Sequence, residues 1–138
     1  PDLTMILNGA LAGLVAITAE PLTPTLGSAS IIGAIGGVII VFGVPFLDKL
    51  KIDDVVGAIP VHLFAGIWGT IAVVFTNGDA SLTTQLYSII VIGLFTFIAS
   101  AIVWYALKVT SGIRVSEEAE ITGLDISELG MPAYDIIK

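Results

Sequence analysis

The sequence contains no cysteine, a single histidine and few charged residues. Without cysteine, this chain cannot form a disulfide, hold an iron–sulfur cluster or offer thiolate ligands to a metal. Only 12% of its 138 residues are charged, against about 25% in an average soluble domain. Since 56% of the residues are hydrophobic and the mean hydropathy is +1.03, a core of this size cannot bury all the hydrophobic side chains. The composition therefore predicts a protein whose solvent is lipid.

Charge is also absent from four long apolar runs, at residues 3–19, 30–47, 55–75 and 86–107 approximately. A membrane-spanning helix needs roughly 20 residues, so the last two runs suffice and the first two are near the lower limit. Because lipid cannot satisfy unpaired backbone groups, the runs should be helices. The predicted fold class is an all-α membrane protein, a polytopic helical bundle. Residues 1–110 would hold four transmembrane helices, and the acidic stretch 111–138 would form a tail.

The few basic residues predict the orientation of the chain in the membrane. The chain lacks an initial methionine and a recognisable signal peptide, which leads us to expect the C-terminal portion of a longer polytopic protein. Basic residues favour the cytoplasmic side, so the loop 48–54 and the C-terminus should be cytoplasmic. All five basic residues lie in that loop or after the fourth run: Lys49, Lys51, Lys108, Arg114 and Lys138.

The one histidine, His62, lies within the third apolar run. An ionisable residue inside a membrane segment is costly, and its presence usually marks a functional site. About eight residues separate it from Asp54, which predicts a depth of roughly 12 Å, near mid-bilayer. Ala58, Ala65, Gly66 and Gly69 share its helix face by spacing, which would leave room beside the ring. A structural histidine bonded to a neighbouring helix is the alternative, whereas a metal site is not expected.

Other residues near His62 have predicted structural roles. Pro60 would kink the third helix close to the ring. Asp53 and Asp54 would complement the positive end of the helix dipole. Glycines spaced four apart, Gly9 with Gly13 and Gly33 with Gly37, would let helix backbones approach closely.

Several segments of the sequence together resemble one family. The third apolar run and the residues before it are similar to the penultimate helix of the ammonium transporters (the Amt/Mep/Rh family). The similarity lies in Asp53-Asp54, Gly57-Ala58, Val61-His62 and Gly66-Ile67-Trp68-Gly69-Thr70. Residues 8–19 resemble the eighth helix of that family, and the glycine-rich second run resembles the ninth. The tail resembles the family's cytoplasmic tail through Arg114, Glu117, Glu118, Gly123, Leu124, Asp125 and Tyr134.

This resemblance implies the last four of eleven helices of a homotrimer with one pore per protomer. His62 would be the second of two pore histidines, the first being on a helix outside this chain. Thr18 matches a position near the inner half of the pore. Asp53, Asp54, Gly66 and Gly69 would support the helix. Ammonium or ammonia would be the solute and the cell membrane the location. The tail could engage a PII-type signal protein, while no cofactor and no nucleic-acid partner are expected.

Two other functions remain open from the sequence. One is a channel for another small neutral solute on the same scaffold. The other is an ammonium sensor with little flux. An enzyme is not expected, since the sequence shows no nucleophile–base pair or metal-binding set.

Overall fold

The computed structural model describes residues 2–133. Those residues contain helices and no strand, which confirms the predicted all-α class. The helices are α1 (Leu3–Ile17), α2 (Leu26–Lys49), α3 (Ile59–Thr76), α4 (Leu82–Thr110), α5 (Glu117–Thr122) and α6 (Leu124–Leu129). The chain divides into two compact units, Pro1–Gly93 and Leu94–Lys138.

The first unit is built around a bundle of α1, α2 and α3. Helix α1 runs parallel to α3, since Asn8 bonds to Val56 before α3 and Glu20 bonds to Asn77 after it. Helix α2 runs in the opposite direction and contacts both of them. The core consists of two clusters of mainly small and branched residues: Ala12, Ile40, Val61 and Ala65 in one, and Ala16, Ile32 and Ala72 in the other. The Trp68 indole nitrogen donates to the Ile32 carbonyl oxygen at 3.0 Å, which ties α3 to α2.

Glycines bring α1 and α2 into backbone contact, as their spacing predicts. A methyl group added at Gly13 would lie 3.2 Å from the Gly33 carbonyl oxygen, and one at Gly37 would lie 3.5 Å from the Gly9 oxygen. The tightest place between these helices is Gly36, where the added group would lie 2.7 Å from the Ala12 oxygen. Any larger residue there would push the two helices apart.

The helix boundaries differ from the sequence estimates, and at the start of α2 a capping residue explains the difference. Helix α2 begins at Leu26, four residues before the predicted start, because Thr25 accepts a hydrogen bond from the Ser28 N–H at 3.2 Å. Helix α4 extends the predicted 86–107 run at both ends. Helix α1 ends at Ile17 and α3 begins at Ile59, so both are shorter than predicted.

Three helices are long and apolar enough to cross a membrane: Leu26–Lys49, Ile59–Thr76 and Leu82–Thr110. Helix α1 has 15 residues, or about 22 Å at 1.5 Å per residue. It is therefore short of the 30 Å hydrocarbon thickness expected of a span, although its composition is equally apolar. No residue of the 29-residue α4 is buried within the described chain.

The tail contains two short helices that the sequence analysis did not predict. Ser116 caps α5 by accepting a hydrogen bond from the Ala119 N–H at 3.2 Å, and acidic residues fill the first turn. Gly123, with φ of +96°, separates α5 from α6, and Gly130, with φ of +69°, ends α6. These left-handed backbone angles favour glycine.

Candidate functional site

The segment that carries His62 is a π-helical turn, Ile59–Phe64, at the start of α3. The Ala65 N–H donates to the Pro60 carbonyl oxygen, five residues earlier, which is the wide π spacing. Such turns are rare and occur frequently at functional sites. Pro60 lies in the first turn, where its missing N–H would have had no helical partner. Pro60 is therefore part of the helix start, and the predicted kink close to the ring stays a prediction.

Pro60 is also a packing residue that holds the turn against α2. It is fully buried, and a methyl group added at Gly43 of α2 would lie 3.0 Å from its Cβ. The same added group would lie 3.1 Å from the Phe64 ring. The absence of a side chain at Gly43 thus lets both Pro60 and Phe64 pack against α2. The turn packs against α2 through these two residues, while His62 is exposed.

His62 is exposed on the surface of this chain, next to the buried Val61. Because α3 begins at Ile59, the ring is only three residues from the helix start, about 4.5 Å along the axis. The predicted count of eight helical residues from Asp54 is therefore wrong. Among the described residues, no hydrogen bond ends on the imidazole, so both ring nitrogens remain available to a solute or to another chain segment.

Two of the four small residues expected on the helix face of His62, Ala65 and Gly69, lie against α1 instead. Both are buried, and a methyl group added at Gly69 would collide with the Ala16 carbonyl oxygen. The wide π turn separates their face from that of the ring. Gly66 is partly buried, and a methyl group added there would lie in ordinary van der Waals contact with the Val15 side chain, at 3.9 Å. Its carbonyl oxygen accepts a hydrogen bond from the Thr70 hydroxyl at 2.9 Å.

The two aspartates before α3 have different environments. Asp54 caps the helix with both carboxylate oxygens, which accept the N–H groups of Ala58 and Ile59 at 2.8 Å each. Asp53 is exposed, and no hydrogen bond to its carboxylate exists within residues 2–133. The sequence assigned the same supporting role to the pair, whereas only Asp54 is placed to perform it.

Thr18 and His62 are not brought together. Thr18 is the exposed C-cap of α1, and its hydroxyl donates to the Val15 carbonyl oxygen at 2.7 Å. It lies six residues, or about 9 Å, beyond Ala12, which packs beside Val61. Thr18 therefore lies nearer than Ala12 to the end of the bundle that is opposite the loop 48–54. If this loop is cytoplasmic, Thr18 lies on the outer side of His62, which does not fit its expected place in the inner half of a pore.

The tail residues lie in the second unit and form local contacts. The Arg114 guanidinium bonds both carboxylate oxygens of Glu120 at 2.8 and 2.9 Å, in an exposed pair. The N–H of Ala133 donates to Asp125 at 2.7 Å and holds the pKa of that carboxyl below its ordinary value, with a further contribution from the Ile126 N–H. Glu117 and Glu118 occupy the first turn of α5, and Leu124 begins α6. Tyr134 lies outside the described residues.

Asn8 is a residue near the site that the sequence analysis did not single out. It is the only amide side chain in α1, and its Nδ2 donates to the Val56 carbonyl oxygen at 2.9 Å, just before α3. The signal that could have found it is a polar side chain inside an otherwise apolar run. Among the described residues, no group of three or more His, Asp or Glu side chains could hold a metal ion.

The comparisons with known proteins agree with one another. The sequence model of the Ammonium Transporter Family matches residues 1–134. The chain is 42% identical to the ammonium transporter Amt2 of Archaeoglobus fulgidus, with 97% of the chain and 33% of that protein covered. It is 42% identical to Amt1 of Haloferax mediterranei (97% and 27% covered) and 39% identical to Amt1 of Methanocaldococcus jannaschii (92% and 34%). The chain thus spans about a third of the length of these relatives.

The family match covers nearly the whole chain, including the π turn with His62, the capping Asp54 and the tail helices. Three of its helices are long and apolar enough to span a membrane, which fits a membrane transporter. From its sequence and its architecture, the chain belongs to the ammonium transporter family.

Proposed function

We propose that this chain is the C-terminal part of a protein that moves ammonium or ammonia across a membrane, with His62 in the pathway. The observation that carries the proposal is the family match over residues 1–134, combined with one exposed imidazole on an apolar helix. Three relatives of the chain are named ammonium transporters. A membrane location follows from the apolar helices.

The physical argument begins with the cost of placing a cation in an apolar pore. An ammonium ion loses its hydration on entering such a pore, and no carboxylate lies within α1, α3 or α4 to compensate. Loss of a proton gives ammonia, which crosses at lower cost. A neutral imidazole can accept a proton at one nitrogen and donate from the other. His62 has both atoms available, so it can hydrogen-bond ammonia or receive the proton.

His62 by itself would form only part of a pathway. Its ring is exposed in this chain, and about two-thirds of the length of the relatives lies outside the matched region. We infer that other parts of the full-length protein cover this surface and supply a second pore histidine. The same proposal includes a homotrimer, a cytoplasmic loop 48–54, and a cytoplasmic tail that can engage a PII-type signal protein.

The experiment is uptake of labelled methylammonium by cells that express the full-length protein or its His62→Ala variant. Uptake should be at least about tenfold lower in the variant at equal membrane abundance, because a hydrogen-bonding and proton-accepting group is lost. Asn77→Ala is a suitable control, because it removes a polar contact at the other end of α3. Unimpaired uptake by His62→Ala would remove His62 from the mechanism. No uptake by the wild type would contradict the proposed transport itself.

A further inference from the structure

The start of α3 is held by hydrogen bonds from residues outside the helix, and the backbone that they hold directly precedes His62. Asn8 of α1 donates its side-chain amide to the Val56 carbonyl oxygen at 2.9 Å. This contact joins residues 48 positions apart in the sequence. Within residues 2–133, the other direct polar link from the α1 region to that of α3 joins Glu20 and Asn77, at the opposite end of the bundle. Asn8 is therefore the polar link from α1 at the end that carries the π turn.

A short series of backbone contacts connects Val56 to the residue beside His62. Val56 is followed by Gly57, whose φ of +72° turns the chain into the helix. The Gly57 carbonyl oxygen accepts the Val61 N–H at 3.2 Å, and Val61 directly precedes His62. A displacement of Val56 would therefore move the acceptor that positions the π turn.

The fit between Asn8 and this turn is close. A methyl group added at Gly57 would lie 2.7 Å from the Asn8 amide nitrogen and 3.4 Å from the Val44 side chain. Glycine at this position thus satisfies two demands, a left-handed backbone and the close approach of an amide. Asp54 also holds this turn, through Ala58 and Ile59. The backbone before His62 is consequently bound by two side chains, and Pro60 and Val61 are buried.

We propose that Asn8 is a positioning residue for His62, acting through its bond to the Val56 carbonyl and the Gly57–Val61 contact. Asn8 need not touch the solute; it fixes the position of the π turn, and thereby the direction of the imidazole. The proposal rests on the proposed function for its effect on transport. Its structural content, the position of the ring, does not depend on transport and is measured separately.

The test uses the full-length protein in lipid bilayers with the variants Asn8→Leu and Asn77→Leu. Each variant removes one side-chain amide bond between the α1 and α3 regions, at opposite ends of the bundle. Solid-state NMR of ¹⁵N-labelled histidine reports the ring of His62, and its signal is assigned by its loss in His62→Gln. We expect Asn8→Leu to move or split this signal and Asn77→Leu to leave it unchanged.

Transport supplies the second readout. Asn8→Leu should lower the maximal methylammonium uptake by about tenfold or more, since a misplacement of about 1 Å can cost up to about a hundredfold in rate. If Asn8→Leu does not reach the membrane, Asn8→Ser, whose hydroxyl is too short to replace the amide, is measured in the same way. An unchanged His62 signal together with a lower melting temperature would overturn the proposal and leave Asn8 a purely structural residue. If the wild type shows no uptake, the proposed function fails while the NMR comparison still decides the role of Asn8.

Discussion

Individual glycines set the distance between the helices of this bundle. Gly36 of α2 and Gly69 of α3 both face carbonyl oxygens of α1, at Ala12 and Ala16 respectively. The sequence predicted that glycines spaced four apart within each helix would let α1 and α2 approach closely. Gly13 and Gly33, one from each predicted pair, do lie against each other. The sequence did not identify Gly36 as the tightest position between α1 and α2, because composition and spacing cannot say which of three neighbouring glycines faces the partner helix.

Gly36→Ala should therefore destabilise the full-length protein. The added methyl group would lie 2.7 Å from the Ala12 oxygen and 2.9 Å from the Ala16 Cβ, so the helices must separate. Overpacking of this kind costs about 1–3 kcal/mol. Gly93→Ala is the matched control, since nothing lies within 4 Å of the added group in α4. Thermal unfolding in detergent should show a lower midpoint for Gly36→Ala only, and equal midpoints would contradict the packing described.

Asp125 is the tail residue with a clear electrostatic signature. Hydrogen bonds from the Ala133 N–H, and then from the Ile126 N–H, hold the pKa of its carboxyl below the ordinary 3.8. The sign follows from linkage: the bonds favour the ionised form, so their contribution to tail order is present above pH 3.8 and is lost as the pH falls through the lower folded value. A ¹³C carboxyl titration should give a midpoint below 3.8. A midpoint at or above it would contradict the Asp125–Ala133 contact.

Among the elements, the start of α3 is the one whose structure the sequence predicted least well. Val55 and Val56 are apolar, so hydropathy placed them in the helix, whereas Gly57 at φ of +72° makes a turn there. The face assigned to His62 assumed 3.6 residues per turn, and the π turn breaks that period. The existence of the helix was predictable from its apolar residues. The direction of the ring was not, because it depends on Asn8 and Gly43 from two other helices.

Asp54 and Asp53 provide a matched pair for testing how α3 begins. Asp54→Ala removes the acceptor of two backbone N–H groups and should cost about 0.5–2 kcal/mol of stability, as for other helix caps. Asp53→Ala removes an exposed carboxylate and should change stability by less than about 0.5 kcal/mol. Chemical unfolding of both variants of the full-length protein gives the comparison. An equal loss in the two variants would show that charge near the helix start matters more than the cap itself.

At the scale of the whole molecule, the sequence predicted the class of fold and the family, and the structure and comparisons confirm both. It did not predict the tail helices, although Ser116 followed by acidic residues is a readable start signal. Such short helices depend on contacts such as Asp125 with Ala133 rather than on a hydrophobic period. The expected place of Thr18 in the inner half of a pore stays a prediction, because a sequence match does not show which end of the bundle faces the cytoplasm.

The predicted orientation can be tested because the chain contains no cysteine. Single cysteines at Lys51 and Ser81, in a full-length protein made otherwise cysteine-free, report the two ends of α3. A membrane-impermeant maleimide added to intact cells should label the Ser81→Cys variant, and should label Lys51→Cys only after permeabilisation. The reverse pattern would invert the orientation, and would then place Thr18 on the inner side of His62.

The central claim is that His62 lies in the path of ammonium through the full-length protein. Its most direct test is the ammonium-evoked current or pH change in proteoliposomes that contain purified wild-type protein or the His62→Ala variant at equal density. We predict a saturable response for the wild type and a response lower by about tenfold or more for His62→Ala. Equal responses from the two proteins would contradict the claim.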